Sequence, residues 1–385
     1  MADNDRAIRD AAVRILAERG WRSMTTTEVG LQAGLTHGAV YERFRNKQQL
    51  ALTIWDEELS PTLVGELDSL WAAGDKTGLH GSLASFWTPS PQLRAAVELL
   101  LAAEFDPDLR QGVREPIAAL LAARLDSVTP RSAVVDLTLA IAALGLVMAS
   151  DRPWVPDTSV DYPVSWLLAG IEGLDLDVPG ADVTPIYLLE PMIDSGDERM
   201  DRVMEATVAV VGERGYDNAF LRDIAIKAGY STRAVTRNFQ HKIDLMAATL
   251  RWQHRRGLAG LHDYLQRAGK EIGPGQAEAA AWRWYLSPEL AHARTMLIEA
   301  NRLQTTERSC WEAMIPAEVE AVEGYADHNP QPDRTSALSA VHLEFGIGMG
   351  LLAVARLLPQ AHDVPFQAIT VPMQDYHAWS GSASE

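Results

Sequence analysis

Apolar residues recur every three or four positions along most of the chain, which is the spacing of one face of an α-helix. The first such stripe consists of Ile8, Ala11, Ala12, Ile15 and Leu16, and it stops at Gly20. Helical spacing continues over residues 93–105, 113–125, 137–149 and 164–171. Proline-containing breaks separate these segments, as expected for helix boundaries. The pattern therefore predicts an all-α protein.

The stretch from Thr25 to Lys47 predicts two short helices joined by a tight turn. Thr25 is a good N-cap, and Glu28, three residues later, completes a capping box. Gly34 supplies a residue that adopts a positive φ at the end of the first helix, and Thr36 begins the second. Helix, glycine-containing turn and helix form the helix-turn-helix pattern, whose second helix enters the major groove of DNA.

Three short runs make this stretch specific: Ala33-Gly34-Leu35-Thr36, then Gly38-Ala39-Val40-Tyr41, and then Phe44 with Lys47 and Leu50. Together these runs resemble the DNA-binding signature of TetR-family transcriptional regulators. The resemblance spans about the first 50 residues. It implies a three-helix DNA-binding domain followed by a helical domain that binds a small molecule and forms dimers.

The resemblance also implies roles for individual residues. It assigns base contacts to His37, Gly38 and Ala39, and phosphate contacts to Thr25, Thr36, Tyr41 and Lys47, with Arg43 nearby. Hydroxyl groups and a lysine suit phosphate oxygens, and a small residue lets the helix approach a thymine methyl group. Lys47 begins a helix, where the helix dipole disfavours a cation unless a phosphate lies alongside. The alternatives are an aromatic side chain half-covering the core for Tyr41 and a solvated side chain for His37.

The DNA-binding stretch returns in the second half of the chain. Residues 203–245 align with residues 8–50 without a gap, at an offset of 195, and 12 of the 43 positions are identical. Two further matches extend the repeat, because Trp87-x-x-Ser90-Pro91 returns at 284–288 and Asp161-x-Pro163 returns at 363–365. We therefore expect two complete TetR-like units in tandem, acting as a covalent pseudo-dimer on an asymmetric operator.

The repeat divides the chain into five segments. These are a helix-turn-helix domain at 1–50, a helical regulatory domain at 51–173, a linker at 174–198, a second helix-turn-helix domain at 199–245 and a second helical regulatory domain at 246–385. The linker is rich in proline and glycine, with seven acidic residues and no basic one. Such a composition is typical of a connector.

The second unit departs from the family pattern in two places. Phe220 replaces the capping Thr25, and Thr236 replaces Tyr41, which shortens the reach to phosphate. Basic residues enrich the same face, and Arg233 is suited to bidentate recognition of guanine. The DNA-contact set predicted for this unit is Ser231, Thr232, Arg233, Ala234, Thr236, Arg237 and Lys242. The alternative is a copy that has decayed into a scaffold, but a decaying copy should have lost its basic residues.

The net charge of −18 becomes compatible with DNA binding once its distribution is considered. Residues 5–50 carry eight basic and five acidic side chains, and residues 199–245 carry eight and six. Two mildly basic faces therefore lie on an acidic body, which would orient them toward DNA. The single cysteine, Cys310, fits a reducing cytoplasm. No signal peptide is apparent, and the apolar run at 137–149 is too short to span a bilayer.

The helical domains contain aromatic residues that are candidates for an effector pocket. They are Trp55, Trp87, Phe105 and Trp166 in the first unit, and Trp252, Trp284, Trp311 and Phe345 in the second. By resemblance, the effector is a small and largely apolar molecule, although core packing is the more common role for any one of these residues. Gly346-x-Gly348-x-Gly350 lies in an apolar helical stretch, so close helix packing explains it better than a nucleotide loop does.

Two other classes of function fit the sequence less well. An enzyme is not expected, because the sequence shows no zinc-spaced cluster, phosphate loop or nucleophile elbow, and no metal or cofactor is predicted. An interaction protein or antirepressor that sequesters another regulator would not need Lys47 and Lys242 at matching helix starts. The expected partners are therefore duplex operator DNA and a small effector, with homo-oligomerisation open and no membrane.

Overall fold

The computed structural model describes residues 2–150, 161–181, 195–303 and 334–373, and within these ranges every regular element is a helix. The all-α prediction is confirmed. The chain forms two compact units, each assembled from separate stretches of sequence. The first comprises Met1–Asp151 with Met349–Leu358, and the second comprises Arg152–Gly348 with Pro359–Glu385.

The first unit begins with a three-helix bundle, which contains the helix-turn-helix, and continues as a helical body. Its helices are α1 (Ala2–Ser23), α2 (Thr26–Gln32), α3 (His37–Tyr41), α4 (Lys47–Ile54), α5 (Ser60–Ala72), α6 (Lys76–Trp87), α7 (Pro91–Ala102), α8 (Pro107–Leu109), α9 (Glu115–Asp126) and α10 (Pro130–Ala149). Single π-helical turns at Trp55–Leu59 and Arg110–Arg114 precede α5 and α9. The buried stripe of α1 packs along α7, which therefore joins the N-terminal three-helix bundle to the body.

The second unit repeats this arrangement. Its helices are α11 (Asp161–Glu172), α12 (Glu198–Asn218), α13 (Leu221–Lys227), α14 (Thr232–Thr236), α15 (Lys242–Ile272), α16 (Pro274–Tyr285), α17 (Ala291–Leu303), the start of α18 (Arg334–Leu357), and α19 at 367–373. Short 3₁₀ turns occupy Pro288–Leu290 and Pro359–Asp363. α12 packs along α17 as α1 packs along α7, so each three-helix bundle rests on a helix of its own body.

In the first unit, the end of α18 packs directly on α10. A Cβ atom added to Gly350 would lie 1.9 Å from the carbonyl oxygen of Ile141, so only glycine permits this approach. The prediction that this glycine run serves close helix packing is confirmed at Gly350. α10 is long and apolar enough to cross a membrane by length and composition, but 83% of its most apolar window is buried inside the protein.

In the second unit, α11 packs on α19. The buried Trp166 donates a hydrogen bond from Nε1 to the carbonyl oxygen of Met373, at 2.6 Å. A Cβ atom on Gly170 would lie 2.3 Å from Cγ of Met373, which again requires glycine. α11 begins at the first Asp-x-Pro element and α19 follows the second. Each compact unit therefore contains a helix from one half of the sequence packed on a helix from the other half.

The first part of the predicted linker is held on the second unit. The backbone N–H of Asp175 donates to the carbonyl of Ala368 at 3.2 Å, and that of Ala181 donates to Oε1 of Gln276 at 3.2 Å. Residues 182–194 lie outside the described residues. The predicted segment boundaries stay a prediction.

Candidate DNA-binding site

The first helix-turn-helix forms as its sequence predicts. Thr25 accepts a hydrogen bond from the backbone N–H of Glu28 at 3.1 Å, and Gly34 adopts a φ of 69°. The next residue, Leu35, closes the turn by donating its N–H to the carbonyl of Gly30 at 2.8 Å. These bonds satisfy groups that helix ends leave unpaired, and they fix the angle between α2 and α3.

The predicted capping box is wrong in one half. The N–H of Thr25 donates to the carbonyl of Ser23 at 3.0 Å instead of to Glu28. The carboxylate of Glu28 accepts a hydrogen bond from Arg19 at 2.5 Å. A guanidinium forms a stronger, charge-assisted hydrogen bond than a backbone amide does, so Arg19 takes the carboxylate and ties α1 to α2.

The second helix-turn-helix has the same local geometry. Gly229 adopts a φ of 77°, and Tyr230 donates its N–H to the carbonyl of Ala225 at 2.9 Å. Ser231 caps α14 through the N–H of Ala234 at 3.3 Å, the distance at which Thr36 caps α3 through Ala39. The contact between α1 and α2 is also repeated, because Arg214 pairs with Asp223 at 2.9 Å. Phe220 provides no side-chain cap to α13, as predicted.

The candidate contact residues of the first unit lie mainly on the exposed side of α2 and α3. Thr25, Thr36, Gly38 and Tyr41 are exposed, whereas Ala39, Arg43 and Lys47 are half-buried. Tyr41 is 47% exposed, which places much of its ring in solvent. The side chain of His37 lies outside the described residues.

Arg43 is engaged within its own domain. Its Nε donates to Asp5 at the start of α1, and its guanidinium also donates to the carbonyl of Ala39 at 2.9 Å. Asn238 and Met200 occupy the corresponding positions of the second unit, so the ion pair is specific to the first. Arg43 is therefore positioned to brace α3 against α1.

The second recognition helix presents a different surface. Ser231, Thr232, Arg233 and Arg237 are exposed on and around α14, whereas Ala234, Thr236 and Lys242 are half-buried. Arg233 occupies the position of Gly38 in the first unit, so a long cationic side chain replaces a bare backbone. A guanidinium at the start of a recognition helix suits the O6 and N7 atoms of guanine.

Sequence reasoning missed the partners of the two helix-start lysines. Lys47 donates from Nζ to the carbonyl oxygen of Trp21, and Nζ lies 3.7 Å from the centroid of that indole ring. Lys242 bonds the carbonyl of Tyr216 in the same way, with Nζ 4.0 Å from the phenol ring centroid. The carbonyl and the ring face offset the unfavourable helix dipole. The sequence signal for these contacts is the aromatic residue, Trp21 or Tyr216, that directly follows the repeated glycine.

The candidate pocket residues divide between the two units. Trp55, Trp87 and Phe105 lie in the first unit, whereas Trp166, Trp252 and Trp284 lie in the second. Trp55 and Trp166 are each 1% exposed, and the effector pocket stays a prediction. Trp311 and the side chain of Phe345 lie outside the described residues. Within the described ranges, no group of three or more His, Cys, Asp or Glu side chains is placed to hold a metal ion.

Comparison with known proteins matches both helix-turn-helix segments. The sequence profile of bacterial regulatory proteins of the tetR family matches residues 8–54 and again residues 203–249. The HTH-type transcriptional regulator AcrR of Shigella flexneri is 39% identical over 61 residues, which cover 16% of this chain and 27% of that protein. The fatty acid metabolism regulator protein of Bacillus subtilis (strain 168) is 33% identical over 50 residues, covering 13% and 26%. The chain thus spans about a quarter of the length of these curated relatives.

Proposed function

Because the chain belongs to the TetR family through two copies of its DNA-binding domain, we propose that it is a cytoplasmic transcriptional regulator in which one polypeptide supplies both recognition helices for one operator. The observation that carries this proposal is the shared geometry of the two helix-turn-helix units. Both keep the left-handed glycine of the turn, the hydroxyl cap of the recognition helix and the lysine tie to α1 or α12. A copy serving only as a scaffold has no need of an exposed Arg233 and Arg237.

The pairing of helices from the two halves supports a covalent pseudo-dimer. Helix-turn-helix proteins usually bind as two-fold dimers, whose recognition helices reach half-sites about one helical turn of DNA apart. Here α18 packs on α10 and α19 packs on α11 within one chain. These contacts supply internally what separate protomers would otherwise have to supply by association.

The operator of such a protein is asymmetric. His37-Gly38-Ala39 begins one recognition helix and Thr232-Arg233-Ala234 begins the other, so the two half-sites should differ in sequence. Phosphate contacts through Thr25, Thr36, Tyr41 and Lys47 would anchor the first domain. Ser231, Thr236, Arg237 and Lys242 would anchor the second, with Arg233 reading a guanine.

A small effector would release the DNA by binding the released state more tightly than the DNA-bound state. Buried polar atoms in the second unit support an effector with polar groups on an apolar frame. Gln253 Oε1, Trp284 Nε1, Ser287 Oγ and Asn301 Oδ1 are buried without a hydrogen-bond partner among the residues that the structure describes. Such atoms are normally paired, because burying one unpaired costs about 1–3 kcal/mol.

A second candidate is an interaction protein whose second helix-turn-helix binds protein instead of DNA. Its support is the apolar surface of that unit, where Phe220 is 61% exposed and Ile226 is 67% exposed. Phe220 stands where the first unit has a threonine. This alternative predicts that the second unit contributes nothing to DNA affinity.

Fluorescence anisotropy with genomic fragments tests the proposal. The protein should select one sequence, and light scattering should find one chain per operator. Arg267→Ala is a matched charge control, because Arg267 is exposed on the body helix α15 and pairs with Asp263. Titrations that show no preferred sequence would contradict DNA-binding regulation, and two chains per operator would contradict the pseudo-dimer.

A further inference from the structure

Trp21, whose carbonyl oxygen accepts a hydrogen bond from Lys47, also bonds a carboxylate of the helical body. In the first unit, the backbone N–H of Trp21 donates to Oε1 of Glu98 at 2.7 Å. Glu98 lies on α7, the body helix against which α1 packs. Trp21 therefore has Glu98 at its N–H, Lys47 at its carbonyl and the Lys47 ammonium over its ring.

The second unit repeats this arrangement. The N–H of Tyr216 donates to Oε2 of Glu299 at 2.8 Å, and Glu299 lies on α17, the helix that packs along α12. The carbonyl of Tyr216 accepts from Lys242, whose ammonium faces the phenol ring. Two copies with different aromatic residues and limited sequence identity thus keep the same contacts between three helices.

The backbone explains why a carboxylate is needed at this point. Gly20 and Gly215 lie in the left-handed region, with φ values of 72° and 73°, and they interrupt α1 and α12. The following N–H is turned out of the helix, while Trp21 and Tyr216 are only 7% and 2% exposed. A buried N–H requires an acceptor, and a charged acceptor forms a stronger hydrogen bond than a neutral one.

We propose that Glu98 and Glu299 are positioning residues through which each helical body sets the DNA affinity of its own recognition helix. A shift of α7 or α17 moves the carboxylate, then the peptide of the aromatic residue, and then the lysine at the start of α4 or α15. An ammonium carries three donors, so a lysine fixed by this carbonyl can also donate to phosphate. This inference rests on the proposed DNA-binding function, which it extends by naming the coupling residues.

The two relays differ in how deeply the carboxylate is buried. Glu299 is 3% exposed and accepts a second hydrogen bond from Arg302 at 2.8 Å, whereas Glu98 is half-buried. Leu101 follows Glu98 at the spacing at which Arg302 follows Glu299, so the first relay lacks this arginine. The carboxylate of the second relay is thus the more deeply buried of the two and pairs with an arginine of its own helix.

A double-mutant cycle on the full chain and its selected operator tests the first relay. Glu98→Ala should weaken binding about tenfold, as expected for losing a hydrogen bond to a charged group. In a Lys47→Met background the same change should cost less than about twofold, because the carboxylate acts through the lysine. Glu98→Gln keeps an acceptor and should restore most of the affinity. An equal loss in both backgrounds would assign Glu98 a merely structural role and overturn the proposal.

Two comparisons make the cycle specific. Glu115→Ala removes an exposed carboxylate from α9 and should leave the affinity unchanged. Glu98→Ala should remain additive with Lys242→Met, because those residues belong to different relays. If Glu98→Ala were as non-additive with Lys242→Met as it is with Lys47→Met, the assignment of each relay to its own unit would be overturned.

Fluorine NMR of the DNA-free protein separates this inference from the proposed function. The chain labelled with fluorotryptophan should show one resonance that Trp21→Phe removes. In the otherwise wild-type chain, Glu98→Ala should shift that resonance toward the position it has in the Lys47→Met variant. In a chain that already carries Lys47→Met, adding Glu98→Ala should cause little further shift. This outcome would support the relay even if the wild-type protein bound no duplex. A full additional shift in the Lys47→Met background would overturn it.

Discussion

Gly350 lies so close to the backbone of Ile141 that a single added carbon atom would reach within 1.9 Å of its carbonyl oxygen. The amide nitrogen of Gly145 lies 2.8 Å from the same position, so neither neighbour is a side chain that can rotate away. Gly350 belongs to α18 in the second half of the sequence, and Ile141 belongs to α10 in the first. The two halves are therefore joined by backbone packing as well as by covalent continuity.

Gly350→Ala should destabilise the protein by about 1–3 kcal/mol, because an overpacked core must shift backbone. Gly348→Ala is the matched control on the same helix, since its Cβ would meet none of the described atoms within 4 Å. That change should be neutral or stabilising, because alanine is the better helix former. Thermal and urea unfolding of both variants measure the difference, and equal stability would contradict the packing of α18 on α10.

A chain divided between residues 181 and 195 should yield two fragments that purify together. Division removes the covalent link but leaves Trp166 bonded to Met373 and Gly350 packed on Ile141. Expressed alone, each fragment would expose these buried surfaces and should aggregate or unfold. Co-expression with a tag on one fragment measures the association. Two separately folded fragments that do not associate would refute the pairing.

Operator binding should weaken steeply as the salt concentration rises. About six to ten phosphate contacts give a log–log slope on the order of −5 to −9, because each contact releases counterions from the DNA. Anisotropy titrations over a range of salt concentrations measure this slope. A slope near zero would exclude the phosphate contacts assigned to the two domains.

Lys47→Ala and Lys242→Ala should each act on one half-site. Each lysine begins the helix that follows its own recognition helix, so its loss should weaken footprint protection over one half of the operator. Each variant should also lower the magnitude of the salt slope by about one. If Lys242→Ala leaves the footprint and the affinity unchanged while Lys47→Ala abolishes both, the second unit is a scaffold and the interaction-protein alternative gains.

Arg233→Ala should relax sequence preference at one base pair of the second half-site. A bidentate contact between arginine and guanine contributes about 1–3 kcal/mol of discrimination. Binding to operators mutated at each position of both half-sites measures the change. Arg267→Ala removes the same charge from the exposed body and should leave the preference intact. Unaltered preference in Arg233→Ala would show that this side chain does not read a base.

The sequence alone determined the all-α fold, the helix-turn-helix and its repetition. These features depend on local rules: Gly34 and Gly229 end helices, and Thr36 and Ser231 cap the next ones. Local rules are readable because each residue acts on neighbours within one or two turns of the chain. The constant offset of 195 between the two helix-turn-helix segments then revealed the duplication.

Only the tertiary structure decided which distant groups meet. By sequence, the carboxylates of Glu28, Glu98 and Glu299 could each bond several partners. In the structure Glu28 bonds Arg19, Glu98 bonds the N–H of Trp21, and Glu299 bonds the N–H of Tyr216. It also placed Trp166 beside Met373 and Gly350 against Ile141, across the boundary between the repeats. Such contacts depend on how helices pack in space, and hydrophobic spacing specifies which face is buried but not which helix covers it.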